Sequence, residues 1–264
     1  FSRERFSNNI AAFVRSGYPV LLVGHYEGSG GHAICIVGFR DKVSTPCSAG
    51  SFAMADKDIE YVYVHDDNFG PNLRFKIDVG AHGEAVLVSS PPAYVGGGEP
   101  QPPRKFYPYT VIAAVHEDIR ISADELFQKG VASSAAVVTL ITNICRMTGA
   151  QAPSFTFSPR FILLRDYFNS ELPKALSGAT LAQVRLALME SIPPMSLHVG
   201  VIRIGTADNL LVMDLLYDTT DSGRSIPSFV SVIYDEQLYR FCDSLGIDFV
   251  AERLGLSQYI IPAF

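Results

Sequence analysis

Two kinds of hydrophobic pattern run along this chain. Over residues 3–15 (RERFSNNIAAFVR), Phe6, Ile10, Phe13 and Val14 recur at helical spacing, and Gly17 with Pro19 ends the run. That pattern predicts an amphipathic helix leading directly into a strand. The strand is expected over 19–24 (PVLLVG), with a turn over 27–31 (EGSGG) and further strands over 32–39 (HAICIVGF), 61–65 (YVYVH), 73–77 and 85–88. Each is a short run rich in β-branched, aromatic or leucine residues, bounded by turn-forming chemistry. Between 40 and 58 the residues turn small and polar, which reads as a long excursion between strands.

The stretch 89–109 (SSPPAYVGGGEPQPPRKFYPY) carries six prolines and three consecutive glycines, the composition of an ordered flap or a linker. Beyond it a strand is expected over 110–115. Ser122 with Glu125 three residues on has the form of a capping box opening a helix, and a longer apolar helix follows through Met147. The remainder predicts strands over 154–157 and 161–164, a helix over 180–190, a hairpin of 197–204 with 210–217, a strand over 229–234 and a helix over 236–245. No internal repeat stands out. The expected class is α+β, a largely antiparallel sheet with an N-terminal helix, divided into a first region of 1–88, the flap or linker of 89–109, and a C-terminal α+β extension of 110–264.

Composition narrows the functions open to this pattern. With 264 residues, 48% of them hydrophobic, the chain can bury a full core. A formal net charge of −6 with no run of Lys or Arg argues against nucleic acid as a partner. The longest apolar stretch, 135–141, falls far short of the roughly 20 residues that cross a bilayer, so no membrane span is expected. Cys35, Cys47, Cys145 and Cys242 form no CxxC pair and no zinc pattern, which suits free or buried thiols in a reducing, cytoplasmic setting. No cofactor and no metal is expected. Asp214, Asp218 and Asp221 lack the glycine and final glutamate of a calcium loop and read as a solvated strand end. His25, His65, His82 and His116 show no recurring ligand spacing and are assigned no role.

One pair of polar residues changes the picture. If 32–39 and 61–66 are antiparallel neighbours with Cys35 opposite Tyr63, then His32 stands opposite Asp66 at the open end of the pair. Alternation then puts Ile34, Ile36, Val62 and Val64 on the face of His32 and Asp66, with Cys35, Val37, Tyr61 and Tyr63 on the other. An imidazole that serves as a general base needs such a carboxylate to fix its tautomer and steady the imidazolium. Gly30 and Gly31 would let a substrate approach His32, and Gly70 permits the tight turn after the acid. A second combination, His198 with Asp214, fails on spacing: a turn at 206–209 pairs His198 with Tyr217 and Asp214 with Val201.

The segments SGYPVLLV, GGHAICIVGF and YVYVHDDNFGP together resemble the second half of a papain-like cysteine peptidase of the type that processes double-glycine bacteriocin leaders. The resemblance covers about residues 3–88 and implies a papain-like fold there, with His32 matching the general base and Asp66 the orienting acid. Asp67 stands where that family usually has proline, so Asp67 is the alternative acid. In the family the cysteine nucleophile precedes this region, at a helix N-terminus that favours the thiolate. No residue here matches it. Because the chain opens on Phe1 and looks helical by residue 3, an upstream segment bearing that cysteine is expected to be missing. The implied function is hydrolysis of a peptide or amide bond in a peptide or protein substrate. The alternatives are a catalytically inactive papain-like binding module and a thiol acyltransferase, which would use the same triad. Nothing in the sequence speaks to the oligomeric state.

Overall fold

The structure is a computed structural model and describes residues 2–41, 52–54, 59–90, 102–172, 179–206, 210–220, 229–246 and 259–263. The chain divides into two compact units, residues 1–44 with 56–115, and residues 45–55 with 116–264. Both mix helices with mostly antiparallel strands, the α+β class that the patterning predicts.

The first unit opens with helix α1 (Arg3–Arg15), whose Ser2 side chain accepts from the Arg5 amide as N-cap. Five of its six described strands follow one another in the sheet: β1 (Val20–Tyr26), β2 (Gly31–Asp41), β4 (Ile59–Asp66), β5 (Gly70–Val79) and β6 (Ala85–Ser89). The sixth, β7 (Lys105–Ala113), pairs with both β6 and β1 and closes the sheet into a barrel, every pairing antiparallel. Closure removes the exposed edges that an open sheet of this size would leave. The apolar stripe of α1 (Phe6, Ile10, Ala11) joins inward residues of every strand in one cluster, among them Leu22, Ile34, Val62, Phe75, Leu87 and Phe106. The boundary expected near residue 88 therefore falls inside this unit, because β7 begins within the proline-rich stretch and completes the barrel. Residues 91–101 of that stretch lie outside the described residues.

The described strands of the second unit are β3 (Phe52–Met54), β8 (Phe155–Leu163), β9 (His198–Thr206), β10 (Leu211–Asp218), β11 (Phe229–Ile233) and β12 (Tyr259–Pro262). They form a six-stranded sheet in the order β12-β11-β10-β9-β8-β3. β3 with β8 and β11 with β12 run parallel, and the other pairs are antiparallel. The break expected over 158–160 is absent and β8 is continuous. Pro159 lies opposite Ile202 of β9, and the described pairing with β3 spans Phe155 to Phe157, short of the proline.

Among the described residues four helices accompany this sheet: α2 (Ala123–Thr148), the short α3 (Leu164–Asp166) running into a π-helical turn over Tyr167–Glu171, α4 (Ala179–Ser191) and α5 (Glu236–Leu245). The two helices expected between residues 122 and 147 are one, opened by a complete Ser122–Glu125 capping box. β9 is buried along nearly its whole length, as a strand covered on both faces must be. Its Gly200 and Ile202 face α2, while Val199 and Val201 pack in a cluster with Val184 and Leu188 of α4. Glycine sets the approach of α2: a Cβ on Gly130 would lie 2.7 Å from Ile202, and one on Gly200 would lie 2.7 Å from Leu126. Among the described residues α2 is the single helix long and apolar enough to cross a membrane. One face of α2 lies against β8 and β9, and 28% of its apolar window is buried.

Asp214 is a correction to the expected solvated strand end. It is fully buried, opposite Arg203 rather than Val201, and takes two bonds from that guanidinium (2.9 and 2.8 Å) with the hydroxyls of Tyr167 (3.0 Å) and Tyr234 (2.8 Å). Glu171 extends the network, accepting from Arg203 at 2.9 Å and from Arg160 at 2.6 Å. Residues 207–209, where the pattern puts the hairpin turn, lie outside the described residues, as does Asp221.

Candidate functional site

β2 and β4 are antiparallel neighbours, with a register two residues from the expected one. Cys35 lies opposite His65 and Ile36 opposite Val64, and the ladder shifts between Ile36 and Gly38. A slip of two preserves the faces. Ile34, Ile36, Val62 and Val64 are buried, and Asp66, 4% exposed, shares their side. His32 and Asp66 are thus diagonal neighbours instead of directly opposed, and the longer imidazole side chain closes the gap.

His32 Nε2 lies 3.2 Å from Asp66 Oδ2. The same oxygen accepts from the Tyr26 hydroxyl at 2.6 Å, and Oδ1 accepts from the backbone amides of Asn68 (2.8 Å) and Phe69 (3.2 Å). The two amide bonds form the Asx-type turn that leads to Gly70, whose φ of +103° is open to glycine and costly for other residues. A carboxylate accepts only, so the ring nitrogen facing Asp66 must carry the proton, and Nδ1 is left with its lone pair. Among the described residues the polar neighbour of Nδ1 is the Asn68 amide nitrogen at 3.5 Å, which is also 3.5 Å from Nε2.

Asp67 reaches the ring as well, with Oδ1 3.3 Å from Nε2. Burial separates the two acids: the Asp66 side chain is fully enclosed, whereas that of Asp67 is 81% exposed. The three residues also group closely enough to hold a cation, with one ligand atom from each within 4.8 Å of the others. Four protein donors already point at the Asp66 oxygens, which suits a carboxylate that orients a ring better than one that ligates a metal.

Beside the ring opens a cavity of about 560 Å³, lined by Tyr26, Gly30, Gly31, His32, Asn68, Phe69 and residues 102–105. Gly30 and Gly31 are both exposed, at the mouth. The half-exposed Phe69 ring lies under the Arg104 guanidinium, 3.4 Å from its centroid, and gives the rim an apolar and cationic side. Tyr26 is packed edge-on against Phe69 and Phe106, and burial together with the Asp66 carboxylate pushes its hydroxyl pKa far up.

Tyr26 is the site residue that sequence reasoning misses. The hydrophobic run places the end of its strand at Gly24. The alternation Val20, Leu22, Gly24, Tyr26 carries on for two more residues and puts Tyr26 on the inward face. Cys35, the one cysteine of this unit among the described residues, sits on the face away from His32, and burial raises its thiol pKa. Cys145 and Cys242 are free thiols of the second unit, and Cys47 lies outside the described residues.

No family model, no curated protein and no solved structure matches the chain.

Proposed function

We propose that the first unit is the His/Asp half of a papain-like thiol hydrolase that cleaves a peptide or amide bond. A cysteine from outside residues 1–264 would be the nucleophile. The observation that carries the reading is the His32 ring held through Nε2 by an enclosed Asp66, on which four donors converge, beside an open cavity. In the reaction, Nδ1 takes the thiol proton and the sulfur attacks the substrate carbonyl carbon. The imidazolium then returns that proton to the leaving amine as the C–N bond breaks, leaving a thioester. Water, deprotonated by Nδ1, attacks the thioester carbonyl and releases the acid and the thiol. Asp66 is a positioning residue that holds Nε2–H toward itself throughout, and the free thiols of the chain accord with a reducing, cytoplasmic setting.

The test labels cysteines of the full-length protein with an iodoacetamide probe over about pH 5 to 9, comparing wild type with His32→Ala and Cys47→Ser. One cysteine labelled at low pH only while His32 is present, and unaffected by Cys47→Ser, supports the reading. Labelling indifferent to His32 overturns it. That second outcome would favour an inactive papain-like module whose cavity binds a peptide.

A further inference from the structure

The second unit contains a cluster to which the hydrolase reading gives no work. His198 opens β9, and His116 and Asp118 lie on the segment that leads into α2. One ligand atom from each lies within 4.8 Å of the other two. Asp118 Oδ2 is 3.3 Å from His116 Nδ1 and 3.9 Å from His198 Nδ1, and the two imidazole rings stack with centroids 4.5 Å apart. The His198 side chain is 8% exposed, and its buried Nδ1 makes no hydrogen bond among the described residues. Buried polar atoms of this kind are uncommon, because each forgoes water without a replacement.

The backbone around the cluster is fixed. Thr219, fully buried, places its hydroxyl 2.6 Å from the His198 carbonyl oxygen and 3.4 Å from that of Asp118, while its own carbonyl accepts from the amides of Arg120 and Ile121. One residue thereby ties the segment carrying His116 and Asp118 to the strand end carrying His198.

We propose that His116, Asp118 and His198 bind a divalent transition-metal ion of the zinc class. Two imidazoles and one carboxylate are a zinc-type donor set and a poor one for magnesium or calcium, which prefer all-oxygen shells. Bonds of about 2.0–2.1 Å to a tetrahedral ion put neighbouring ligand atoms about 3.3 Å apart. His116 and Asp118, with side chains 49% and 34% exposed, can rotate inward to reach that spacing around the fixed His198. The His116 Nδ1 lone pair otherwise receives a 3.4 Å bond from the Asp118 amide, which a metal would displace. The fourth position would take water.

The experiment titrates the chelator-treated protein with Zn²⁺ alone by calorimetry, in wild type, His116→Ala, Asp118→Ala and His32→Ala. The expected result is one saturable equivalent, with affinity reduced about tenfold or more by His116→Ala and by Asp118→Ala and unchanged by His32→Ala. Because His116 and Asp118 are partly exposed, melting of the metal-free variants should match wild type and so separate lost ligation from lost folding. No saturable binding overturns the proposal. So does binding that survives both substitutions, or that is lost in His32→Ala alone and belongs to the first unit.

Discussion

Four donors converge on the two oxygens of Asp66, and one of them is a ring nitrogen that also lies 3.3 Å from Asp67. Substituting each acid separates the two. Asp66→Asn presents an NH₂ group to donors it cannot accept, and should cost about 2–3 kcal/mol in urea denaturation, as loss of charge-assisted bonds does. Asp67→Asn, at an exposed side chain, should stay within about 0.5 kcal/mol. In the other unit, Asp214→Asn takes the charge from the carboxylate that accepts two bonds from the buried Arg203 guanidinium, and should cost about 3–5 kcal/mol by the same measurement. How much of this the sequence disclosed follows from range. His32 and Asp66 sit on adjacent strands and can be paired by counting, and a two-residue error does not separate them. Asp214 and Arg203 can be paired in the same way, but their network also draws on Tyr167, Glu171 and Tyr234, whose approach depends on how α3 and β11 pack, and no local pattern records that.

At the level of elements, α1 is legible to its end residues because its apolar stripe and the Gly17–Pro19 stop agree, and strand cores are legible while strand ends are not. β3 and β12 leave no such trace. Both are short and join the sheet by parallel pairing to a strand distant in sequence or across a long connection, so no hairpin turn announces them. The seat of α2 on β9 gives an element-scale prediction. In an isolated helix Gly130→Ala would gain about 1 kcal/mol. Here the new Cβ lies 2.7 Å from Ile202, itself fully buried, so the substitution should be destabilising by about 1–2 kcal/mol. Ile202→Val removes the outer methyl, and in a double-mutant cycle Gly130→Ala should cost less on the Ile202→Val background than on the wild-type one.

Across the whole molecule, the buried tyrosine hydroxyls tie stability to high pH. Burial pushes the Tyr217 hydroxyl up to about 12, and burial reinforced by the Asp214 charge raises Tyr167 and Tyr234 well above their ordinary range. A phenol that ionises near pH 10 when unfolded and later when folded lends stability that is whole below about pH 10 and shrinks as pH rises, by about 1.4 kcal/mol per pH unit for each such tyrosine. For Tyr217 that window runs from about 10 to about 12. Chemical denaturation at stepped alkaline pH should show the fall, and Tyr217→Phe should make it shallower.

A general-base role for His32 needs one tautomer: Nε2–H donated to Asp66, with the Nδ1 lone pair available to accept a proton. Long-range ¹H–¹⁵N correlation spectra of the imidazole, with the His32 signals assigned by their absence in His32→Ala, read it directly. In the neutral ring the expected pattern is a protonated Nε2 and an unprotonated Nδ1, disturbed by Asp66→Asn and left intact by Asp67→Asn. A protonated Nδ1, or a pattern averaged between the two nitrogens and indifferent to Asp66, would contradict it.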